Sequence, residues 1–355
     1  MSKKKTDIQE WAEQPHGEIK ALKGEISKLN KRLRKYQSGE GLIIEAVEEA
    51  IANNPPTIVA PRPPQIRSKG LREVAVMHVS DTQIGKVTES YDPTVCRDRL
   101  LMMGEKAIEI TKMRRQASRI DECHVYYGGD MVEGENIFPS QAHEIDQCVF
   151  DQAIRTAPSI MAELVLLLLG SFKKVKVLCV RGNHGRNGRF SSTKTNWDSV
   201  SYRVMELMLL GPHAPADLKK RLEIQIADDT FWLVDRIFDW GNLLVHGDQI
   251  RGGFGGFPWY GFGKKIWGWI DTIPEPFEYV FTGHFHTPAS AVLNHRMFLA
   301  NGTTESDNEY ALESLAAGGT PAQRLCFFNS KHGMIADHLI WLAKRTPQRK
   351  KAKEW

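Results

Sequence analysis

Five short stretches carry carboxylate, carboxamide and imidazole side chains at the ends of apolar runs. They are Asp81 and Gln83 in "SDTQIG", Asp130 in "YGGDMVEG", Asn183 and His184 in "RGNHGR", His246 in "VHGD", and His284 and His286 in "TGHFH". Taken singly, each has an ordinary explanation. A strand-end Asp often caps the next helix, Asn183 alone reads as a turn residue, and His246 alone reads as a hydrogen-bonded structural histidine. In this order, all at strand ends, they read instead as hard oxygens and imidazoles gathered for a metal centre. Residues i and i+2 of a strand face the same way, so an extended "HFH" would aim both rings at one point.

The elements that must position these residues follow from the apolar pattern. The runs "EVAVMHVSD", "ECHVYYGGD", "KVKVLCVRGNH", "NLLVHGD" and "YVFTGH" alternate with helical stretches near residues 96–117 and 152–170. That is the pattern of an α/β domain, in which ligands bind beyond the carboxyl ends of the strands. The run "SIMAELVLLLLGSF" is broken by Glu163 and falls short of the roughly 20 apolar residues of a membrane span. A buried helix is expected there, and no membrane association.

Ahead of this domain, Ile19, Leu22, Ile26, Leu29, Leu33 and Tyr36 keep heptad spacing among lysines and glutamates, which predicts a short coiled coil. A homo-oligomer, in the simplest case a dimer through this helix, is the expected assembly. The domain plan is a helical, coiled-coil-like segment over 1–51, a proline-rich linker over 52–70, the α/β domain over 71–343 and a basic tail over 344–355.

Composition narrows the classes further. Hydrophobic residues at 41% and charged ones at 25% are those of a globular protein, which excludes a fibrous or largely disordered chain. The net charge of +4 gathers partly in "MSKKK" and "KRTPQRKKAK", tails of a kind that touch anions or simply solvate. The five cysteines form no CxxC pair, which argues against a thiolate zinc site or a disulfide framework and for a reducing compartment. The N-terminus shows no apolar h-region.

As an ordered set, the five stretches resemble the calcineurin-like metallophosphoesterase superfamily, whose signature runs D-x-H, G-D, G-N-H, an isolated His, and G-H-x-H. The match spans roughly residues 74–287. It implies a four-layer α/β/β/α sandwich, here with an N-terminal helical extension, and a site for two divalent metal ions at one edge. Asp130 would bridge the ions. The first would take Asp81, Gln83, Asp130 and His286; the second Asp130, Asn183, His246 and His284. His184, next to a ligand, would protonate the leaving oxygen or stabilise charge on the phosphoryl group.

A ligand set of oxygen and imidazole without thiolate suits manganese, with magnesium, iron and zinc as alternatives. The expected reaction is phosphoester hydrolysis by in-line attack of a metal-activated hydroxide. One departure stands out: Gln83 occupies the family's His position. A carboxamide offers a neutral oxygen or no bond, so a looser or differently selective first site is expected.

The substrate must be read from other residues. Arg186, Arg251, Lys264 and Lys265 are the candidate phosphate contacts, interleaved with Phe254, Phe257, Trp259, Tyr260, Phe262, Trp267 and Trp269. Cations between aromatic faces compose a nucleic-acid groove; the same aromatics would equally suit a buried lid or protomer interface. The stretch "NGTTESDNEYALESLAAGGTPAQRLCFFNSKHGM" resembles the tail of a branch found in bacteriophage genomes. That branch is closer to the nuclease subunit of double-strand-break repair complexes (the SbcD type) than to the protein phosphatases. It implies a DNA nuclease, exo or endo, acting on single-stranded or duplex DNA in the cytoplasm of a bacterium or phage-infected host. Two alternatives stay open: a phosphatase or nucleotide phosphoesterase for small phosphoesters, and a catalytically silent nucleic-acid or protein-binding scaffold.

Overall fold

A computed structural model describes residues 39–53, 56–66, 68–138, 141–188, 190–251, 257–306 and 320–344. The heptad segment 19–36, the residues 307–319 within the phage-like stretch and the tail from 345 onward lie outside the described residues. The chain divides into two units, Met1–Ala50 and Ile51–Trp355. Helix α1 (Gly39–Asn53) is the first described element, and every strand among the described residues belongs to the second unit.

That unit opens with β1 (Arg72–Val79), α2 (Pro93–Arg114), β2 (Arg119–Tyr127), α3 (Val149–Leu169), β3 (Lys174–Cys179), α4 (Trp197–Leu210), α5 (Ala216–Arg221) and β4 (Leu222–Ile226). A second series follows: β5 (Trp232–Ile237), β6 (Trp240–Val245), α6 (Trp259–Thr272), β7 (Tyr279–Thr282), β8 (Ala289–Leu293) and β9 (Arg296–Ala300). The hairpin β10 (Ala322–Asn329) and β11 (Gly333–Trp341) then returns to the first sheet. Strand order is β11-β10-β1-β2-β3-β4 in one sheet and β5-β6-β7-β9-β8 in the other. β1 to β4 run parallel, as do β6, β7 and β9, so the strand ends bearing candidate ligands gather at one edge of each sheet.

Local sequence explains the helices that frame this edge. α2 starts where the Asp92 side chain accepts from Val95 N and Pro93 supplies a fixed φ, and it ends on Lys112 and Arg114, favourable at a helix C-terminus. α3 contains a π turn over Gln152–Thr156, a distortion common at functional sites. It tucks buried Gln152 inward, where its Oε1 accepts from Gly134 N in the loop after β2. By length and composition α3 could cross a membrane, but 61% of its most apolar window is buried inside the fold.

Alternation along the strands sorts the core into layers. Val74, Val76, Tyr126, Leu178, Leu244, Phe281, Leu299 and Phe328 fill the space between the sheets. On the outer face of the first sheet, Tyr127 donates its hydroxyl to Met161 O of α3, and Leu100, Met103, Leu164 and Leu168 of α2 and α3 are fully buried. On the outer face of the second, Phe262, Ile266 and Trp269 of α6 pack with Leu243, Val245, Val280 and Phe298. The fold is therefore an α/β/β/α sandwich. The aromatic segment divides accordingly: Phe257, Phe262 and Trp269 are core, whereas Trp259, Tyr260 and Trp267 are exposed.

Candidate metal centre

The loops that leave β1, β2, β3, β6 and β7 bring the expected residues together. Asp81 and Gln83 follow β1, Asp130 follows β2, Asn183 and His184 follow β3, His246 follows β6 directly, and His284 and His286 follow β7. The strand geometry expected for "HFH" is corrected here. β7 ends at Thr282, and His284 and His286 take φ of +72° and +51°, so left-handed turns, not strand alternation, aim the rings. Phe285 between them packs against Phe257 and Phe262.

Left-handed backbone is the local signature of the whole centre. Of the seven non-glycine residues at positive φ among the described residues, five are Asp81, Gln83, Asp130, His284 and His286. Each such residue costs about 1–2 kcal/mol, so surrounding bonds must hold it. The loops after β1 and β2 do so by continuing to pair beyond the sheet, with Asp81 N bonded to Gly129 O and Gln83 N to Asp130 O. Beneath them, the buried Asp198 carboxylate accepts from the N–H groups of Asp130, Met131, Val132 and Gly182 at 2.8–3.2 Å.

In one half of the centre, His246 Nδ1 lies 2.8 Å from Gly128 O. A carbonyl only accepts, so Nδ1 carries a proton and Nε2 is the atom left for a cation to take, in exchange for any proton it holds. Nε2 faces Asp130 Oδ2 at 2.9 Å and Asn183 Oδ1 at 3.2 Å. Donor atoms of Asp130, His246 and His284 all lie within 4.8 Å of one another. Burial pushes the His246 pKa down, but Asp130 outweighs it and carries it up to about 10. Burial and His246 together press His284 down to about 4, so its ring is neutral and able to ligate.

In the other half, His286 Nε2 lies 3.5 Å from Asp81 Oδ1, and the Gln83 amide lies 3.3 Å from the Nε2 atoms of both His286 and His184. Asp81 Oδ2 and Asp130 Oδ2 are buried, and beyond the His246 ring that faces Asp130 Oδ2 no donor reaches either. A bare buried carboxylate oxygen is costly. Two such oxygens, one per half, ringed by imidazoles and carboxamides, fit a pair of divalent cations. Two glycines make the approach possible: a Cβ on Gly182 would fall 2.0 Å from Asp130 Oδ1, and one on Gly283 would fall 2.4 Å from Asp81 Oδ2.

His184 sits between the halves. Its N–H donates to Asp130 Oδ1 at 2.8 Å, its Nε2 lies 3.9 Å from Asp130 Oδ2, and Phe138 lies against its ring. Its Nδ1 is 3.1 Å from Glu133 Oε2. Burial lowers its pKa, but Glu133 and Asp130 overcome this and raise it to about 9, which keeps a proton available at neutral pH. Glu133 is a functional residue that the motif reading passed over. The available signal was an acid three residues after Asp130 in the same loop.

The candidate phosphate contacts separate. A cleft of about 800 Å³ is lined by Asn183, His284, Arg181, Arg186, Arg251, Phe138 and Phe231. Arg186 lines the cleft with its guanidinium bonded to Asp248. Lys264 and Lys265 line an adjoining cavity of about 460 Å³, which shares Gln249 and Arg251 with the cleft.

No protein-family model matches the sequence, and no curated protein matches it. Among solved structures, a zinc complex of Vps29 from Entamoeba histolytica is 14% identical and covers 76% of this chain and 99% of its own, at a TM-score of 0.33. A novel archaeal phosphodiesterase is 10% identical over 75% of this chain and 99% of its own, at a TM-score of 0.34. A predicted phosphoesterase from Streptococcus pneumoniae is 12% identical over 77% of this chain and 99% of its own, at 0.30. Overlaps this loose carry no weight for activity, which has to be argued from the geometry of the centre.

Proposed function

We propose that the protein is a dinuclear metal-dependent phosphoesterase and, more narrowly, a DNA nuclease that works with manganese. One observation carries the metal-dependent part: two buried carboxylate oxygens, Asp81 Oδ2 and Asp130 Oδ2, that no donor beyond the His246 ring reaches, amid imidazole and carboxamide groups. Bound there, two divalent ions would supply a deprotonated water at neutral pH and neutralise charge developing on phosphorus. His184, whose Nδ1 lies 3.1 Å from Glu133 Oε2, would hand a proton to the departing oxygen or stabilise the phosphoryl charge.

The nucleic-acid part rests on the cleft. Arg181 and Arg251 bring positive charge to its wall, and Phe138 and Phe231 bring aromatic surface, as a strand of phosphates and bases requires. The cations continue past the cleft through Arg251 to Lys264 and Lys265, a continuation with no use for a small phosphoester. The test is a side-by-side assay with manganese of a phosphomonoester, bis(p-nitrophenyl) phosphate, and single-stranded and duplex DNA. Cleavage of DNA and of the diester is expected. Turnover of the monoester with intact DNA would replace the nuclease by a small-substrate phosphatase, and no turnover of any substrate would leave the scaffold alternative.

A further inference from the structure

Gln83 is the ligand position at which this chain departs from the motif it resembles, and its surroundings assign its role. It is almost fully buried and sits at φ +44°. With its amide nitrogen toward His184 Nε2 and His286 Nε2, its oxygen faces the Glu305 carboxylate, acceptor against acceptor. Turned over, the nitrogen donates to Glu305 Oε1 at 3.0 Å and Oε2 at 2.6 Å, and the oxygen faces His184 Nε2 at 3.3 Å. The second orientation satisfies the hydrogen bonding of both groups.

Glu305 acts on the neighbouring ligand as well. Its Oε1 lies 2.8 Å from His286 Nδ1. A carboxylate on Nδ1 holds that proton in place and leaves Nε2 to present its lone pair on the Asp81 side, the usual support for an imidazole that binds metal. Glu305 itself is buried, and buried Lys86 answers its charge, with Nζ 3.5 Å from Glu305 Oε2 and 4.0 Å from Glu133 Oε1. Its backbone is fixed through Thr303, whose Oγ1 accepts from Glu305 N and donates to Asp81 O.

We propose that Glu305 is the positioning residue of the Asp81 half: it turns the Gln83 amide oxygen and His286 Nε2 toward one divalent cation. Resting on the metal-centre reading above, this makes Gln83 an oxygen ligand. A neutral oxygen in place of an imidazole biases that half toward manganese or magnesium and away from zinc.

Manganese titration of the full-length protein, followed by electron paramagnetic resonance and calorimetry, tests the inference without reference to turnover. Wild type should bind two ions. Glu305→Gln and Gln83→Ala should each weaken one binding step by roughly 10–100-fold and leave the other unchanged, the unchanged step also reporting that the variant is folded. Gln83→His should keep both steps and move the preference of the Asp81 half from manganese toward zinc. Two undisturbed steps in Glu305→Gln would overturn the inference while leaving the metal centre standing; a wild type that binds no manganese would overturn both. Should Glu305→Gln lose both steps, a crystal structure of manganese-loaded wild type decides: Gln83 nitrogen, not oxygen, facing the ion sinks the proposal.

Discussion

The Asp130 and Asp81 halves of the centre share one plan up to a point. Each begins with an aspartate at positive φ after a parallel strand. In each, Oδ1 accepts a backbone N–H at 2.8 Å, from His184 or from His284, and Oδ2 receives no backbone N–H. In each, a glycine leaves room for the carboxylate. They part at the support for the imidazole. His246 Nδ1 is held by a backbone carbonyl, whereas His286 Nδ1 is held by the Glu305 carboxylate, which in turn leans on Lys86. The first support survives any side-chain replacement; the second is three side chains deep, and Gln83 occurs on that side. One half is therefore set by the fold, the other by a short network that substitution can retune.

That contrast can be broken at several depths. Asp130 belongs to both halves, so Asp130→Ala should remove both manganese-binding steps and lower kcat/KM by on the order of 10⁴-fold. Loss of one step alone would show that the halves do not share it. His184 belongs to neither set of ligands; His184→Ala should lower kcat by roughly 10²–10⁴-fold while calorimetry still counts two ions. The glycines test the shared part of the plan. Gly182→Ala and Gly283→Ala should each cost about 1–3 kcal/mol in urea unfolding, and a much smaller loss for Gly283→Ala would mean that the Asp81 loop gives way more easily.

An effect no larger than that of the glycines lies outside both halves. Between the sheets, His124 bonds Asp235, which also accepts from Tyr126 and Lys176. Burial opposes the His124 charge, but Asp235 raises its pKa to about 9; burial likewise opposes the Asp235 charge, but His124 lowers its pKa to about 2. A raised histidine stabilises fully below its unfolded value near 6.5 and loses that contribution as pH climbs to about 9. The lowered carboxylate keeps its share above its unfolded value of 3.8 and loses it as pH falls toward about 2. Unfolding of the manganese-saturated protein should thus show greatest stability between those windows and a decline of about 1–3 kcal/mol on the alkaline side. In His124→Gln that decline should flatten; an unchanged slope would remove the pair from the account.

The sequence made some of this legible and hid the rest for physical reasons. The five β-rich runs and their terminal ligands could be read because strand ends and polar residues coincide within a few positions. The π turn in α3 and the left-handed turns at the ligands could not, since the ligand residues, chosen for their donor atoms, carry no glycine to announce the backbone. Glu133, Lys86, Asp198 and Glu305 were missed because each acts across tens to hundreds of residues. The bond between Arg186 and Asp248 was out of sight for the same reason, the two lying 62 positions apart. The aromatic segment was separable in principle: Phe262, Ile266 and Trp269 are buried while Tyr260, Lys264 and Trp267 are exposed, the two faces of one helix.

Asp198 carries a consequence of a different kind. Its single carboxylate clasps the loop that bears Asp130 and the loop that bears Asn183 and His184. Neither loop can be transplanted, lengthened or exchanged by itself, because a change in one pulls on the clasp of the other. In recombination between related chains, a crossover placed between residues 130 and 198 would part Asp130 from its anchor. The inheritable unit of this centre is the whole span from Asp130 to Asp198, with α3 carried inside it as freight.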